Sequence, residues 1–172
     1  MPMYLYLGDI TRMETDAIVN AAGTDLRRCP GICDAIFAAA DTEKLERACR
    51  KLGRCRIGQT VATPGCGLPC RYIIHVAGPG WYGGEPRERF LLAGCYQNAL
   101  HKAYLCSCRR VAVPLIFSGD CHMPRAASLR VAGAAIADFC QRHPSMEVTL
   151  VLYRQSIYDM AKRILGWEDA PS

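Results

Sequence analysis

The sequence lacks any apolar run near the roughly 20 residues that a transmembrane helix requires, and it shows no repeat and no low-complexity segment. Its first residues carry no basic cluster ahead of an apolar stretch, so we expect neither a signal peptide nor a membrane partner. Aromatic residues make up only 8% of the chain and do not interleave with its basic clusters. This scarcity disfavours nucleic-acid binding, although the net charge is +5,. We interpret the basic clusters as solvated helix ends, with an anionic-partner surface as the alternative.

Disulfide and zinc signatures are also lacking, although the chain has 11 cysteines. Their odd number and irregular spacing argue against a disulfide framework and predict a reducing, cytoplasmic location. The pairs Cys66/Cys70 and Cys106/Cys108 have no second pair at the spacing of a zinc site,. We therefore expect these thiols to pack in the core or to face solvent.

Apolar runs typical of buried strands alternate with helical patterns along the 172 residues, a length that suits one domain,. The predicted strands are 3–7, 16–20, 57–63, 72–76, 110–115 and 147–153, and the predicted helices are 32–52, 86–106, 124–142 and 155–165. Most strands are continuous Val, Ile and Leu runs, as in a sheet covered on both faces. We predict a three-layer α/β/α sandwich with a mixed, mostly parallel six-stranded sheet over residues 1–166, and a frayed tail at 167–172.

Several short motifs occur in a characteristic order and spacing along the chain. They are Gly8-Asp9-Ile10-Thr11, Asp16-Ala17-Ile18-Val19-Asn20-Ala21-Ala22, Ile73-Ile74-His75-Val76-Ala77-Gly78-Pro79, Cys95-Tyr96-Gln97-Asn98-Ala99-Leu100 and Val113-Pro114-Leu115-Ile116-Phe117-Ser118-Gly119. Together they resemble the macro domain, the ADP-ribose-binding family, over nearly the whole chain. The chain is most similar to the bacterial branch related to ADP-ribosyl and O-acetyl-ADP-ribose hydrolases. The resemblance implies the same sandwich fold, with ADP-ribose or an ADP-ribosylated protein as the partner.

The resemblance also implies roles for particular residues. Asp9 would accept a hydrogen bond from the adenine amino group beside the Ile10 N–H, and Tyr153 would lie against the adenine ring. Backbone N–H groups of two loops would bind the diphosphate, because exposed N–H groups at a helix start favour anions. These groups belong to Gly31 and Ile32 in the first loop and to Phe117, Ser118 and Gly119 in the second. Further expected contacts are Ala21, Cys33, Asp120 and Cys121.

Two polar residues at strand ends leave alternatives open. Asn20 would either hold the ligand loop through side-chain hydrogen bonds or reach the distal ribose. His75 ends an apolar strand, which suggests catalysis, but the resemblance favours a packing role.

The first loop departs from the pattern of the family's hydrolases. Those enzymes usually carry an asparagine where this chain has Gly23. A gapless alignment on Ala35 and Ile36 places Cys33 on the catalytic aspartate and Asp34 on the following glycine. Further departures lie at Cys29, Pro30, Asp120 and Cys121. A carboxylate that activates water contributes about 10²–10⁴-fold, and a neutral thiol is a poor substitute. We therefore expect hydrolysis to be weak or lacking.

Asp34 is the candidate catalytic residue only if the first loop has a different conformation from that of the family's hydrolases. The reason is that a shift of one residue on a helix turns a side chain by roughly 100°. Otherwise Asp34 is an acid that favours the helix N-terminus. No cofactor is expected. One alternative, zinc or a reactive thiol, would use the soft ligands Cys29, Cys33, Cys121 and His122.

Three functions remain in competition. The main hypothesis is an ADP-ribose binder with weak or no hydrolase activity. The second is an active O-acetyl-ADP-ribose deacetylase or mono-ADP-ribosyl hydrolase. The third is a protein or nucleic-acid interaction module with a degenerate pocket, because a fold alone does not fix a function.

Overall fold

A mixed sheet runs through the middle of the molecule in a computed structural model that describes residues 2–79, 86–116 and 123–171. Its strands are β1 (Met3–Leu7), β2 (Ala17–Ala22), β3 (Thr60–Pro64), β4 (Tyr72–Ala77), β5 (Arg110–Pro114), β6 (Glu147–Leu152) and β7 (Glu168–Asp169). The helices are α1 (Ile32–Ala39), α2 (Thr42–Leu52), α3 (Pro86–Leu105), α4 (Arg125–Arg142) and α5 (Gln155–Leu165). The strand order is β3-β4-β2-β5-β6-β1-β7, and β3 alone among these strands runs antiparallel to its neighbour.

Both faces of the sheet are covered, which explains the continuous apolar strands. On β2, Ile18 packs with α1 and α2 residues such as Phe37 on one face. The next residue, Val19, packs with α3, α4 and α5 residues such as Ile136 on the other. Because successive side chains of a strand point to opposite faces, both must be apolar in such a sheet. The predicted three-layer α/β/α sandwich with a mostly parallel sheet is confirmed. No helix in the described ranges is long and apolar enough to cross a membrane.

The helix predicted over residues 32–52 is two helices. The chain breaks at Asp41, whose carboxylate accepts from the Lys44 N–H at 3.2 Å and caps the start of α2. The Asp41 N–H itself donates to the Cys66 carbonyl at 2.7 Å. Aspartate competes well for backbone N–H groups at a helix start, and this local preference interrupts an otherwise continuous apolar pattern.

The predicted strand 57–63 and the predicted tail also need correction. The strand β3 is shifted to Thr60–Pro64, and Ile57 forms only an isolated bridge with Ala77. Glu168 and Asp169 are not frayed but add a seventh strand beside β1. The left-handed Gly166, at φ 67°, turns the chain back after α5 and makes this pairing possible,.

Candidate functional site

The carboxyl ends of β1, β2 and β6 and the start of α1 meet at one edge of the sheet. In open α/β sheets ligands bind in the crevice at this edge, which we call the cleft. Of the residues predicted to contact a ligand, the structure gathers here Asp9, Ile10, Asn20, Ala21, Gly31, Ile32, Cys33 and Tyr153. The rest of the predicted set lies outside the described residues: Phe117, Ser118, Gly119, Asp120 and Cys121.

Asp9 and Tyr153 lie side by side at the end of two paired strands. The Gly8 N–H donates to the Leu152 carbonyl at 2.9 Å, and each of the two residues comes directly after this pair. Tyr153 is 80% exposed. Asp9 uses one carboxylate oxygen, Oδ1, to accept from the N–H and the hydroxyl of Thr11, at 2.9 and 2.7 Å. The Asp9 carboxylate is therefore held in place by one oxygen, at a strand end adjacent to the strand end that carries the exposed Tyr153.

Backbone N–H groups are concentrated at the start of α1. Gly31 precedes the helix with φ 87° and ψ −140°, a conformation that favours glycine,. The N–H groups of Ile32, Cys33 and Asp34 have no partner within the helix, because they belong to its first turn. Ile10 likewise begins a short 3-10 helix after β1. This arrangement can accept an anion.

Cys33 points away from the cleft. Its side chain is 1% exposed and packs among the apolar residues beneath α1. The Sγ atom lies 3.8 Å from Asn20 Nδ2 and 3.8 Å from the Arg27 carbonyl oxygen. The Asn20 amide is fully buried and contacts Cys33 in the first turn of α1, which supports the first of its two predicted roles, holding the ligand loop.

Asn20 belongs to a buried chain of hydrogen bonds that the sequence did not reveal. Its Nδ2 donates to His75 Nδ1 at 3.0 Å, and His75 Nε2 lies 3.0 Å from the Thr63 hydroxyl. An Nδ1 that accepts requires the proton on Nε2, so the imidazole donates to Thr63 and is neutral. Burial lowers the pKa of His75 to about 4. A signal existed: polar residues inside continuous apolar strands must find partners when buried.

Asp34 faces solvent on the first turn of α1. Its Oδ1 pairs with Arg28 Nε at 2.6 Å, and both side chains are largely exposed. A carboxylate so engaged has to leave Arg28 before it can orient a water, so this geometry supports an acid at the helix N-terminus.

The residue just before the second loop, Ile116, is hydrogen-bonded to a buried tyrosine hydroxyl. Tyr96 is fully buried on α3, and its hydroxyl oxygen accepts from the Ile116 N–H at 2.8 Å. Ile116 directly precedes the segment predicted to bind the diphosphate. Burial raises the pKa of Tyr96, so the group remains a neutral phenol. Tyr96 therefore fixes the position of the backbone at Ile116, two residues after the end of β5.

Replacement of Tyr96 by Phe is expected to lower the free energy of unfolding by about 1–3 kcal/mol, because the Ile116 N–H would stay buried without an acceptor. Urea unfolding of the purified variant measures this loss. The control is Tyr104→Phe on the same helix, whose ring is 45% exposed and whose change should be small. Equal stability of Tyr96→Phe and wild type would show that the hydrogen bond between Ile116 and the Tyr96 hydroxyl does not stabilise the protein.

The ten cysteines of the described ranges are all free. Burial raises the pKa of most of them, for example to about 11 for Cys49 and about 12 for Cys95. No group of three or more His, Cys, Asp or Glu within the described ranges is placed to hold a metal ion. The zinc alternative also needs Cys121 and His122, which lie outside those ranges.

Comparison with known proteins gives consistent matches. A family model described as Macro domain matches residues 19–132. An O-acetyl-ADP-ribose deacetylase of Escherichia fergusonii is 37% identical over 168 residues, which cover 95% of this chain and 94% of that protein. The Oceanobacillus iheyensis macrodomain with ADP has a TM-score of 0.88 at 31% identity, with 94% and 88% of the two chains covered. A Trypanosoma brucei macrodomain in complex with ADP-ribose has a TM-score of 0.87 at 26% identity, with 96% and 69% covered.

Proposed function

The chain belongs to the macro domain family, and from this we propose that it binds ADP-ribose, either free or attached to a protein, with weak or no hydrolysis. The observation that carries the proposal is the placement of Asp9 and the exposed Tyr153 at adjacent strand ends, on the same sheet edge as the start of α1. Solved relatives that contain ADP and ADP-ribose support the same ligand.

The chemistry of the cleft matches the parts of this ligand in order along the sheet. The adenine amino group is a donor that suits the Asp9 carboxylate, and its ring suits the face of Tyr153. The diphosphate suits the N–H groups of Gly31 and Ile32 at the start of α1. The distal ribose then lies toward the end of β2, on the side of the sheet away from β1.

Calorimetry with ADP-ribose tests the proposal. We expect binding by the wild type, and Asp9→Asn should weaken it by about 1–3 kcal/mol, because an adenine donor would then face an amide donor. Asparagine keeps an oxygen for Thr11, so the 3-10 helix should remain capped,.

The hypoxanthine analogue of ADP-ribose is the matched ligand control, since it offers a carbonyl oxygen in place of the amino group. It should bind the wild type weakly and Asp9→Asn more tightly, reversing the preference. Failure of ADP-ribose to bind the wild type at millimolar concentration would instead favour an interaction module with a degenerate pocket. Binding with no reversal would remove Asp9 from adenine recognition.

A further inference from the structure

An exposed basic segment, residues 50–57, begins in the last turn of α2 and continues into the connection that follows it. Its exposed cations are Arg50, Lys51, Arg54 and Arg56. Two large apolar side chains of the same segment are also exposed at the surface, Leu52 at 44% and Ile57 at 52%. The sequence alone suggested a solvated helix end, but exposed apolar side chains are not needed for that purpose.

The basic segment is held rigidly by the buried residue at its centre. Cys55 is 3% exposed, and its N–H donates to the Thr24 carbonyl at 2.9 Å. Its thiol lies 3.1 Å from the Gln59 carbonyl oxygen, and the Gly58 N–H donates to the Ala77 carbonyl at 2.6 Å. The side chains on either side of Cys55 therefore project outward from a fixed backbone.

The position of the basic segment follows from the sheet. Its last residue, Ile57, bridges Ala77 at the end of β4, and Ala77 pairs with Ala22 at the end of β2. The adenine side of the cleft, at β1 and β6, lies in the opposite direction along the strand order. The basic segment thus borders the end of the cleft where the distal ribose lies, which is where an attached protein would leave.

Charge at this end is strongly unbalanced. The first loop and the start of α1 (residues 23–34), together with residues 50–57, contain six basic and two acidic residues. Their net charge of +4 compares with +5 for the whole chain. Asp34 is paired with Arg28. No ion pair within the described part of the chain uses the remaining cations, which are Arg27, Arg50, Lys51, Arg54 and Arg56.

We propose that residues 50–57, with Arg27 and Arg28, form a docking surface for an acidic protein segment that carries the ADP-ribosyl group. This inference rests on the proposed function, since it concerns what is attached to the bound ADP-ribose. Carboxylates of the segment complement the arginines, and an apolar side chain of the segment covers Leu52 and Ile57. Nucleic acid fits less well, because no aromatic side chain in residues 50–57 offers a stacking surface for bases,.

The test compares two peptides that carry one ADP-ribosyl group each, measured by fluorescence anisotropy at low salt. One has Glu residues and a Leu around the modified position, and the other has Gln in place of every Glu. The wild type should bind the acidic conjugate about five-fold more tightly, as expected for two or three exposed ion pairs. Arg54→Glu/Arg56→Glu should lose this preference and keep its affinity for free ADP-ribose.

The matched control is Arg89→Glu/Arg130→Glu, which makes the same change in net charge at exposed positions on α3 and α4. It should keep the preference for the acidic conjugate. Equal affinity of the wild type for both conjugates, with normal binding of free ADP-ribose, would overturn this inference and leave the proposed function intact. Unmodified DNA that binds the wild type and not Arg54→Glu/Arg56→Glu would reassign the surface to nucleic acid. Failure of free ADP-ribose to bind would overturn both.

Discussion

Turnover of O-acetyl-ADP-ribose by this protein is expected to be about 10²–10⁴-fold slower than by the Escherichia fergusonii deacetylase, the range that a positioned carboxylate contributes,. By resemblance, Cys33 replaces the catalytic aspartate of the family's hydrolases and Gly23 replaces their asparagine. The structure adds that the Cys33 thiol is buried and contacts Asn20 and the Arg27 carbonyl. A thiol in that orientation cannot place a water against the distal ribose. Release of acetate by both enzymes under the same conditions measures the difference.

Asp34→Asn tests whether any residual turnover depends on Asp34 as the catalytic carboxylate. Asp34 is exposed and paired with Arg28, so its replacement should leave both turnover and ADP-ribose affinity nearly unchanged. Arg28→Gln is the companion control, since it frees Asp34 without removing it. A rate equal to that of the deacetylase, lost in Asp34→Asn, would establish the active-hydrolase alternative and contradict our expectation.

The sequence predicted the sandwich well because periodic apolar runs and the spacing of motifs report burial directly. It failed where one local contact outweighs the pattern. Asp41 divides a predicted helix by capping the second half. Gly166 returns a predicted tail to the sheet. Each site also makes a hydrogen bond to distant backbone: the Asp41 N–H donates to the Cys66 carbonyl at 2.7 Å, and the Ala170 N–H donates to the Leu5 carbonyl at 2.9 Å.

The candidate site was predictable in its positions and less so in its side-chain directions. Motif order placed Asp9, Gly31 and Tyr153 at strand and helix ends, and topology brings such ends to one edge. The directions of Cys33 and Asn20 depend on packing beneath α1. The position of the basic segment could not be predicted either, because its proximity to the cleft depends on the bridge between Ile57 and Ala77.

Acidification is expected to destabilise the protein through His75. The buried imidazole has its pKa lowered to about 4 from 6.5, so the unfolded chain binds a proton at pH values where the folded chain does not. The stability contributed by neutral His75 is complete above pH 6.5 and is lost as the pH falls from 6.5 toward 4,. The full loss is about 3 kcal/mol, of which about 2 kcal/mol falls between pH 7 and pH 5. Urea unfolding at these two pH values measures it.

The carboxylates of the chain also titrate as the pH falls, so the effect has to be isolated by a variant. His75→Gln removes the titrating group and keeps an oxygen for Asn20 and an N–H for Thr63, the two partners of the imidazole. It should start less stable at pH 7, because the amide cannot fill the ring's space, and then lose about 2 kcal/mol less than wild type on acidification. His101→Gln, at an exposed position on α3, should follow the wild type. Parallel losses in wild type and His75→Gln would mean that His75 is already protonated in the folded state. The chain from Thr63 to Cys33 would then need a different proton arrangement, because a protonated Nδ1 could not accept from Asn20.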